Sequence, residues 1–477
     1  MKLSHTSRSI SAVFDEPNLV SSAGLVPEVA LAEAAGLRGL AEEHLSVPTD
    51  KGANAGLKVT SLVAGMVAGA DSIEDMAVLR HGGMSRIFAH AYAPSTLGSF
   101  LRAFAFGHVR QLDAIASRFL IALAGMTRLL GAADSAGSAP QTPTEYALLD
   151  VDDTVIEVHG HAKQGAGFGY SRVRGLNALL ATLSTSASAP IIVAQRLRKG
   201  SCNSSRGAKR LVGDAVATAR RLLGPEPVVL VRMDSAYYGR GAIGAAVAGG
   251  AAVSVTVRMN PQIKAAISGI GETAWTTIEY TDAVFDEAGA RWISRAEVAE
   301  IAFTAFATGK RSEQVAGRLV VRRIPDFNAE QNAAAGQGTL FDLWRFHAFF
   351  TTADPAVLDT VAADKTHRAH AIIEQVHADL KSSALAHLPS GKFTANAAWL
   401  VLAVIAFNLT RAAGTLSGAQ LAKATTATIR RKLINVPARL ATSGRRLTMH
   451  LPQGWPWQTA WTQLFDRVSD PPAALAS

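Results

Sequence analysis

Three aspartates stand between two short apolar runs in the segment EYALLDVDDTVIEVH, which covers Glu145–His159. The shortness of the segment and its position between a proline and a glycine are typical of a buried strand. Side chains alternate along a strand, so Asp150 and Asp152 share one face and Asp153 points to the other. Buried carboxylates are costly unless they are compensated, and a bound divalent cation is the usual compensation. The alternative is that one aspartate faces solvent while the others cap the strand end.

A fourth acid, Asp234, ends a second apolar segment, VVLVRMDSAYY. The end of a core strand is a standard position for a metal ligand because the strand holds the side chain rigidly. One such aspartate is weak evidence. Two of them, on strands that lie side by side, would predict a shared site.

The third chemical motif is the segment THRAHAIIEQVHADLK, which covers Thr366–Lys381. On one continuous helix, spacings of 3, 4, 3 and 4 would place five side chains on one face. These are His367, His370, Glu374, His377 and Lys381. Such a stripe is either a functional site or a hydrated surface. The Glu374-x-x-His377 pair also occurs in di-iron bundles, but those need a second such motif, which this sequence lacks.

The elements that must position these residues follow one another as three strands, a helix, a strand, a helix and a strand. The strand candidates are the aspartate segment, Leu176–Leu183, Pro190–Leu197, Val228–Met233 and Ala252–Val257, and the helices are Arg206–Leu223 and one from Ala242. This is the order of an RNase H-like core, in which the first and fourth strands lie side by side and bring their acids together.

The predicted fold class is therefore α/β: an RNase H-like core of mixed sheet and helices, interrupted by a β-rich insertion. An all-helical N-terminal domain precedes the core, and a basic C-terminal region follows it. The predicted division is a helical DNA-binding domain (1–130), a Gly/Ala/Ser/Pro linker (131–144), the first part of the core (145–258), the insertion (259–352), the second part of the core with the Glu374 helix (353–412) and the basic region (413–477). The apolar stretch Ala395–Thr410 is short for a membrane span and fits a buried helix better.

The chain of 477 residues has a formal charge of +9 and a pI of about 9.8. From Arg411 onward, nine Lys or Arg residues stand against two acids. This distribution favours nucleic acid as a partner, since phosphate contacts dominate such affinity, although a solvated basic surface is the alternative. The single cysteine, Cys202, excludes a disulfide within the chain and suits a reducing compartment.

Taken together, the three motifs resemble those of DDE-type insertion-sequence transposases of DDE domain group one, and most closely the insertion-sequence family designated thirteen-eighty. Asp152-Asp153-Thr154 matches the Asp-x-Thr of the first strand, and Arg232–Tyr237 matches the segment of the second Asp. Glu374 and Lys381 keep the spacing of the third signature, Tyr-x-x-Arg-x-x-x-Glu with a Lys seven residues later. The sequence departs from that signature at two positions.

The departures lie before the glutamate. His367 stands where the family has Tyr and His370 where it has Arg, with Arg368 close by. They bear on the DNA contacts of this helix rather than on the acids. The acids are 82 and 140 residues apart, and the longer gap leaves room for the insertion that this group carries.

The resemblance implies that Asp152, Asp234 and Glu374 are the catalytic residues and metal ligands, with Asp150 as the substitute for Asp152 if the latter faces away. The implied cofactor is Mg²⁺, or Mn²⁺ in its place. Two such ions stabilise the attacking and leaving oxygens of a phosphodiester, and they prefer oxygen ligands.

The resemblance also implies double-stranded DNA as partner, both terminal inverted repeats and target, with a homodimer on paired ends. It implies no membrane partner and a prokaryotic cytoplasm, in association with the nucleoid. The expected DNA contacts are Lys381, Arg368, His370, Arg198, Lys199, Arg206 and Tyr237. Recognition of the ends is assigned mainly to two predicted N-terminal helices, Val29–Leu45 and Ser72–His81, helped by the basic C-terminal region.

Two other functions compete with transposition: a metal-dependent RNase H-like nuclease without strand transfer, and a non-catalytic DNA-binding repressor derived from a transposase. Acids at all three positions argue against the repressor. Inverted repeats flanking the gene would separate the transposase from the nuclease. A hairpin intermediate at the excised ends is expected only by analogy with related elements.

Overall fold

The computed structural model describes residues 4–131, 146–169, 172–224, 228–286, 291–325 and 344–469. Nearly all of the predicted linker lies outside these ranges. Eight short 3₁₀ or π helices also occur in the described part. Its α-helices are α1 (Leu25–Ala34), α2 (Leu37–His44), α3 (Ala55–Ala68), α4 (Met84–Ile87), α5 (Pro94–Arg102), α6 (Phe106–Thr127), α7 (Ala208–Leu223), α8 (Arg240–Ala248), α9 (Pro261–Ser268), α10 (Thr360–Arg368), α11 (Ile372–Lys381), α12 (Phe393–Leu416), α13 (Ala419–Ala422), α14 (Thr426–Ile429) and α15 (Gln458–Ser469).

The strands form two sheets. They are β1 (Leu19–Val20), β2 (Ala147–Glu157), β3 (Gly167–Phe168), β4 (Arg174–Ser184), β5 (Ile191–Lys199), β6 (Val229–Met233), β7 (Ala252–Thr256), β8 (Thr276–Asp286), β9 (Arg291–Ala305), β10 (Val315–Pro325), β11 (Trp344–Thr351), β12 (Ala438–Ser443) and β13 (Arg446–His450). The predicted mixed α/β fold is confirmed.

The aspartate strand β2 lies inside the large sheet, where β4 pairs with it antiparallel and β6 pairs with it parallel. The sheet runs β3-β4-β2-β6-β7-β11-β10-β9-β8, and β5 pairs with β4 along the same edge as β3. The predicted order of three strands, helix, strand, helix and strand is present, and its first and fourth strands are neighbours. The parts of β2 and β6 that contain the acids therefore lie side by side, at the carboxyl end of β6.

The strands of the predicted insertion continue this sheet instead of forming a sheet of their own. β11 pairs antiparallel with the core strand β7, and β10, β9 and β8 follow outward. The sequence pattern identified the alternating strands but could not show which strand they would pair with. It also missed the helix α9, which precedes them.

The predicted buried helix is α12, the longest helix of the described residues. It is long and apolar enough to cross a membrane by composition, but 89% of its most apolar stretch is buried inside the protein. It packs on α3 and α6 from the N-terminal region and on β5 from the core. One continuous hydrophobic cluster consequently joins the N-terminal helices to the large sheet.

The N-terminal region departs from the all-helical prediction. Its strand β1 pairs antiparallel with β12, which in turn pairs with β13, so the two ends of the chain share a three-stranded sheet. The predicted helix Val29–Leu45 is two helices, α1 and α2, separated by Gly36 in the left-handed region at φ 81°. The predicted helix Ser72–His81 contains a 3₁₀ helix, Glu74–Leu79.

Replacing Asn408 on α12 tests how far the stability of the fold depends on the contact between this helix and β5. Its side-chain amide pairs with both backbone groups of Ile192 on β5, accepting from N at 2.9 Å and donating to O at 2.8 Å. Asn408→Leu keeps the volume but leaves two buried backbone groups unpaired. We expect it to lower the free energy of unfolding in chemical denaturation by roughly 2 to 4 kcal/mol.

The matched control is Thr410→Val on the same helix, where the lost hydroxyl only donates to the helical carbonyl of Ala406. That variant should cost less than about 1 kcal/mol. Equal losses in the two variants would contradict the role given to Asn408.

Candidate active site

The two acid-bearing strands are in register at their carboxyl ends. Asp150 pairs with Arg232 and Val151 with Met233 along the parallel β2–β6 ladder. Extending this register by one residue places Asp152 beside Asp234, on strands about 4.8 Å apart. Because alternation repeats every two residues, Asp150, Arg232, Asp152 and Asp234 share one face of the sheet.

Asp150 is completely buried and is neutralised within this face. Arg232 binds it through two nitrogens, Nε to Oδ1 at 2.6 Å and Nη2 to Oδ2 at 2.7 Å. His370 contributes Nδ1 at 3.0 Å from Oδ1. Both members of the ion pair are only 1% exposed. The expectation that Asp150 could replace Asp152 as a ligand is therefore corrected, because its oxygens are already occupied.

Asp153 is also neutralised, on the opposite face. Tyr237 donates its hydroxyl to Oδ1, Asn177 donates its amide to Oδ2, and the guanidinium of Arg198 lies 3.1 Å from Oδ2. Burial alone would raise the pKa of Asp153. The hydrogen bonds from Asn177 and Tyr237, together with the charge of Arg198, outweigh burial and hold that pKa below its usual value.

Asp152 and Asp234 lack such partners. No Lys or Arg of the described ranges forms an ion pair with either carboxylate. Burial, with the nearby charges of Asp153 and Asp234, raises the pKa of Asp152 to about 6, against the lowering effects of a backbone hydrogen bond and His370. Burial also raises the pKa of Asp234. Two under-compensated carboxylates side by side have the charge and the oxygen donors that suit a divalent cation.

Both carboxylates line one open cavity of about 590 Å³. Lys381 lies in its wall, as do Gly200, Cys202 and Ser204 from the loop after β5. Asp153 and Glu157 also line it, so the ammonium group shares this space with the two under-compensated carboxylates and with two further acids. A phosphodiester bound in this cavity could contact the lysine and a cation held by the acids.

The helix of the third motif is not continuous, so the predicted single stripe is wrong. α10 ends at Arg368, a 3₁₀ turn covers Ala369–Ala371, and α11 begins at Ile372. The three histidines consequently face different surroundings. The ring of His367 stacks on Phe349 at 4.1 Å and hydrogen-bonds two hydroxyls of β7, and burial lowers its pKa to about 3.

His370 and His377 each face an aspartate of β2. His370 contacts Asp150 as described, and Nδ1 of His377 lies 3.8 Å from Oδ2 of Asp152. Burial, with the charge of Lys381, lowers the pKa of His377 to about 4, so the ring is neutral at physiological pH. Its Nε2 is buried and has no hydrogen-bond partner among the described residues.

Glu374 is exposed on α11, one turn before His377. Within α11 its spacing to His377 and Lys381 keeps all three on one side of the helix. It is not among the residues that line the cavity. In the described part of the chain, no group of three or more His, Cys, Asp or Glu side chains could hold a metal ion. The cavity thus brings Asp152, Asp234 and Lys381 together, while the place of Glu374 beside them stays a prediction from the third motif.

The expected DNA contacts divide into two groups. Lys381 is exposed and lines the cavity, and Lys199 and Arg206 are exposed next to the loop whose Gly200, Cys202 and Ser204 line it. Arg198 and Tyr237 are buried around Asp153, and Arg198 also donates to the carbonyls of Ser204 and Arg206. These two residues hold the loop and the strand, which corrects their assignment to the DNA backbone.

The remaining two expected contacts lie near the helix break. His370 uses a ring nitrogen on Asp150 and is therefore committed within the protein. Arg368 pairs through Nε with Asp364 at 2.8 Å, and 30% of its side chain stays exposed. Arg368 therefore offers DNA the larger exposed surface of the two, since the side chain of His370 is 17% exposed.

The sequence analysis missed the role of Arg232, although a signal was present. An arginine inside the apolar run VVLVRMD is buried if the run is a core strand, and a buried guanidinium needs a carboxylate. The parallel pairing of the first and fourth strands would then have assigned Asp150 as its partner. Asn177, which links Asp153 to Arg198, gave no comparable signal.

Residues 3–472 match the family described as Transposase DDE domain group 1. No curated protein matches the chain.

The raised pKa of Asp152 predicts a pH-dependent effect on stability in the metal-free protein. In the folded state this pKa is about 6, above the usual aspartate pKa of 3.8. The folded state therefore binds the extra proton between these limits, and this carboxyl lowers stability as pH rises through them. Asp152→Asn removes the penalty. We expect no gain in unfolding free energy below about pH 4 and a gain of roughly 1 to 3 kcal/mol above about pH 6.

Asp153→Asn is the matched control, because the pKa of Asp153 is lowered and the sign reverses. That variant should lose stability at neutral pH, and the loss should disappear in acid. Denaturant titrations at several pH values measure both effects. A stability loss at neutral pH in Asp152→Asn would contradict the electrostatics described for the site.

Proposed function

Because the chain belongs to the transposase family of DDE domain group 1, we propose that it catalyses metal-dependent cleavage and strand transfer at terminal inverted repeats. This activity would move its element by cut-and-paste transposition. One observation carries the proposal. Of the four aspartates where β2 and β6 meet, only Asp152 and Asp234 have no Lys or Arg partner among the described residues, and both line the cavity that contains Lys381.

Asp152 and Asp234 would hold the cation, and Glu374 would supply the third carboxylate from α11. When bound, Mg²⁺ or Mn²⁺ activates water or a 3′-hydroxyl and stabilises charge on the leaving oxygen. The protein's part is to hold the two strand carboxylates at fixed positions. Asp150 and Asp153 serve this purpose because their hydrogen bonds fix β2 on both faces.

Lys381 would bind a phosphate next to the scissile one. It lies in the cavity wall with Asp152 and Asp234 and extends from the same helix as Glu374. Lys199 and Arg206 flank the loop whose Gly200, Cys202 and Ser204 complete the wall. Exposed cations on this rim would hold the DNA backbone across the cavity mouth. The proposed complex is a homodimer on paired ends, as the family resemblance implies.

Asp234→Asn and Glu374→Gln test the catalytic assignment. Each removes one carboxylate charge while keeping side-chain volume. Because a catalytic cation supplies several kcal/mol of transition-state stabilisation, we expect cleavage of repeat-bearing DNA to fall by on the order of a thousandfold or more. Binding to the same DNA in a gel-shift assay should change little.

Asp466→Asn on α15 is the matched control, since it removes an exposed carboxylate far along the chain. Its activity should be close to that of the unmodified chain. Full activity in Glu374→Gln would remove that residue from the catalytic set. Cleavage without joining of a pre-cut end to target DNA would support the nuclease instead.

Salt dependence tests the phosphate contacts at the rim. Each neutralised phosphate releases counterions, so the affinity for duplex DNA should fall steeply between about 50 and 200 mM salt. Removing two contacts in Lys199→Ala/Arg206→Ala should reduce the slope of log affinity against log salt by about 2. Fluorescence anisotropy titrations measure this slope. An unchanged slope in the double variant would show that these side chains do not meet phosphates.

A further inference from the structure

The C-terminal region contains a tight β-hairpin. β12 and β13 pair antiparallel from Arg439–His450 to Ser443–Arg446, which leaves Gly444 and Arg445 as a two-residue loop. Gly444 has φ 60°, and Arg445 is not among the residues of positive φ. A positive φ at only the first loop position, occupied by glycine, is the signature of a type II′ turn. Such a turn fixes the register, so the tip is a defined structure.

The hairpin extends beyond the body of the protein. Its last anchored pair is Leu440, which is 1% exposed, and the half-buried Met449. Beyond that pair, Thr442 to Thr448 are exposed without interruption, including Leu447 at 44%. In a strand against a core, one of the two faces would be covered. Here both faces are exposed near the tip.

The projecting part is basic. Arg445 and Arg446 form the tip, Arg439 lies at the base, and the sequence has no acid from Val436 to Phe465. Arg86 reaches the hairpin and donates to the hydroxyl of Thr442. One acid, Glu16, lies near Arg439 at the base and lies away from the tip.

We propose that this hairpin enters a groove of duplex DNA and reads the terminal inverted repeat, an inference that rests on the proposed function. A major groove is about 8.5 Å deep and admits a two-stranded ribbon. About three residues beyond the anchored pair extend roughly 10 Å, which is sufficient. The tip arginines carry the planar donors that bind guanine edges bidentately, and Leu447 and Thr448 offer apolar groups for thymine methyls.

The N-terminal helices that the sequence favoured for this task have the wrong exposed charge. α1 and α2 bury most of their apolar side chains, and their exposed ionised groups are Glu33, Glu42 and Glu43 against one cation, Arg38. A net negative surface is repelled by phosphates. The 3₁₀ helix Glu74–Leu79 also begins with two exposed acids. The hairpin sequence, by contrast, contains no acidic residue.

Binding of two duplexes to the full chain tests the inference without any cleavage. One duplex carries the inverted repeat that flanks the gene, and the other is a scrambled duplex of equal composition. We expect Arg445→Ala/Arg446→Ala to lose roughly 10- to 100-fold in affinity for the repeat and less than about threefold for the scrambled duplex. The matched control, Lys199→Ala/Arg206→Ala, removes the same charge and should weaken both duplexes equally.

Arg445→Lys/Arg446→Lys separates charge from base reading. It keeps the charge but loses the bidentate donors, so discrimination between the duplexes should fall while affinity for scrambled DNA stays. Full discrimination in both hairpin variants would overturn the inference while leaving the proposed function intact. An unmodified chain that binds both duplexes equally would count against the proposed function itself.

Discussion

The buried ion pair between Asp150 and Arg232 is the interaction on which the site depends. It joins neighbouring residues of the two parallel strands, and each of these residues lies two positions before Asp152 or Asp234. Arg232 also donates to the carbonyl of Thr366 at the end of α10. Removing one partner of such a pair lowers the free energy of unfolding by about 3 to 5 kcal/mol, because the other charge stays buried without compensation. The pair therefore holds β2, β6 and the helix break in one arrangement.

This arrangement explains how three aspartates within four residues acquire different properties. Asp150 and Asp153 point to opposite faces, and each meets an arginine and further donors. Asp152 shares the face of Asp150, but the ring of His377, which lies 3.8 Å from its carboxylate, is neutral. Because arginines neutralise Asp150 and Asp153 but not Asp152, the negative potential of this segment is concentrated at Asp152. A divalent cation gains most where compensation is least, and this difference is the reason why Asp152 is the one of the three that we propose as a ligand.

The sequence predicted those features that depend on local periodicity and chain order. Alternation identified the strands, and their order predicted the meeting of β2 and β6. The break between α10 and α11 was missed because the spacing of its histidines fits a continuous helix equally well. The guanidinium of Arg198 was expected to face DNA because a basic run shows charge but does not show which side chains turn inward. Pairing of β11 with β7 and of β1 with β12 joins segments 92 and 419 residues apart, measured between first residues, and periodicity contains no information about such partners.

The joining of the chain ends has a mechanical consequence. β1 anchors the hairpin sheet to the start of α1, and Gly24 at that start packs so closely on Leu433 and Ile434 that a Cβ would overlap their backbone. α12 then connects this region to β5 of the large sheet, because the side-chain amide of Asn408 hydrogen-bonds both backbone groups of Ile192. Packed cores are dense and shift between discrete arrangements rather than deforming gradually. In the proposed binding mode, a duplex seated on the hairpin would therefore be held at a fixed distance from the cavity of Asp152 and Asp234, and the fold would set the position of the cleaved bond.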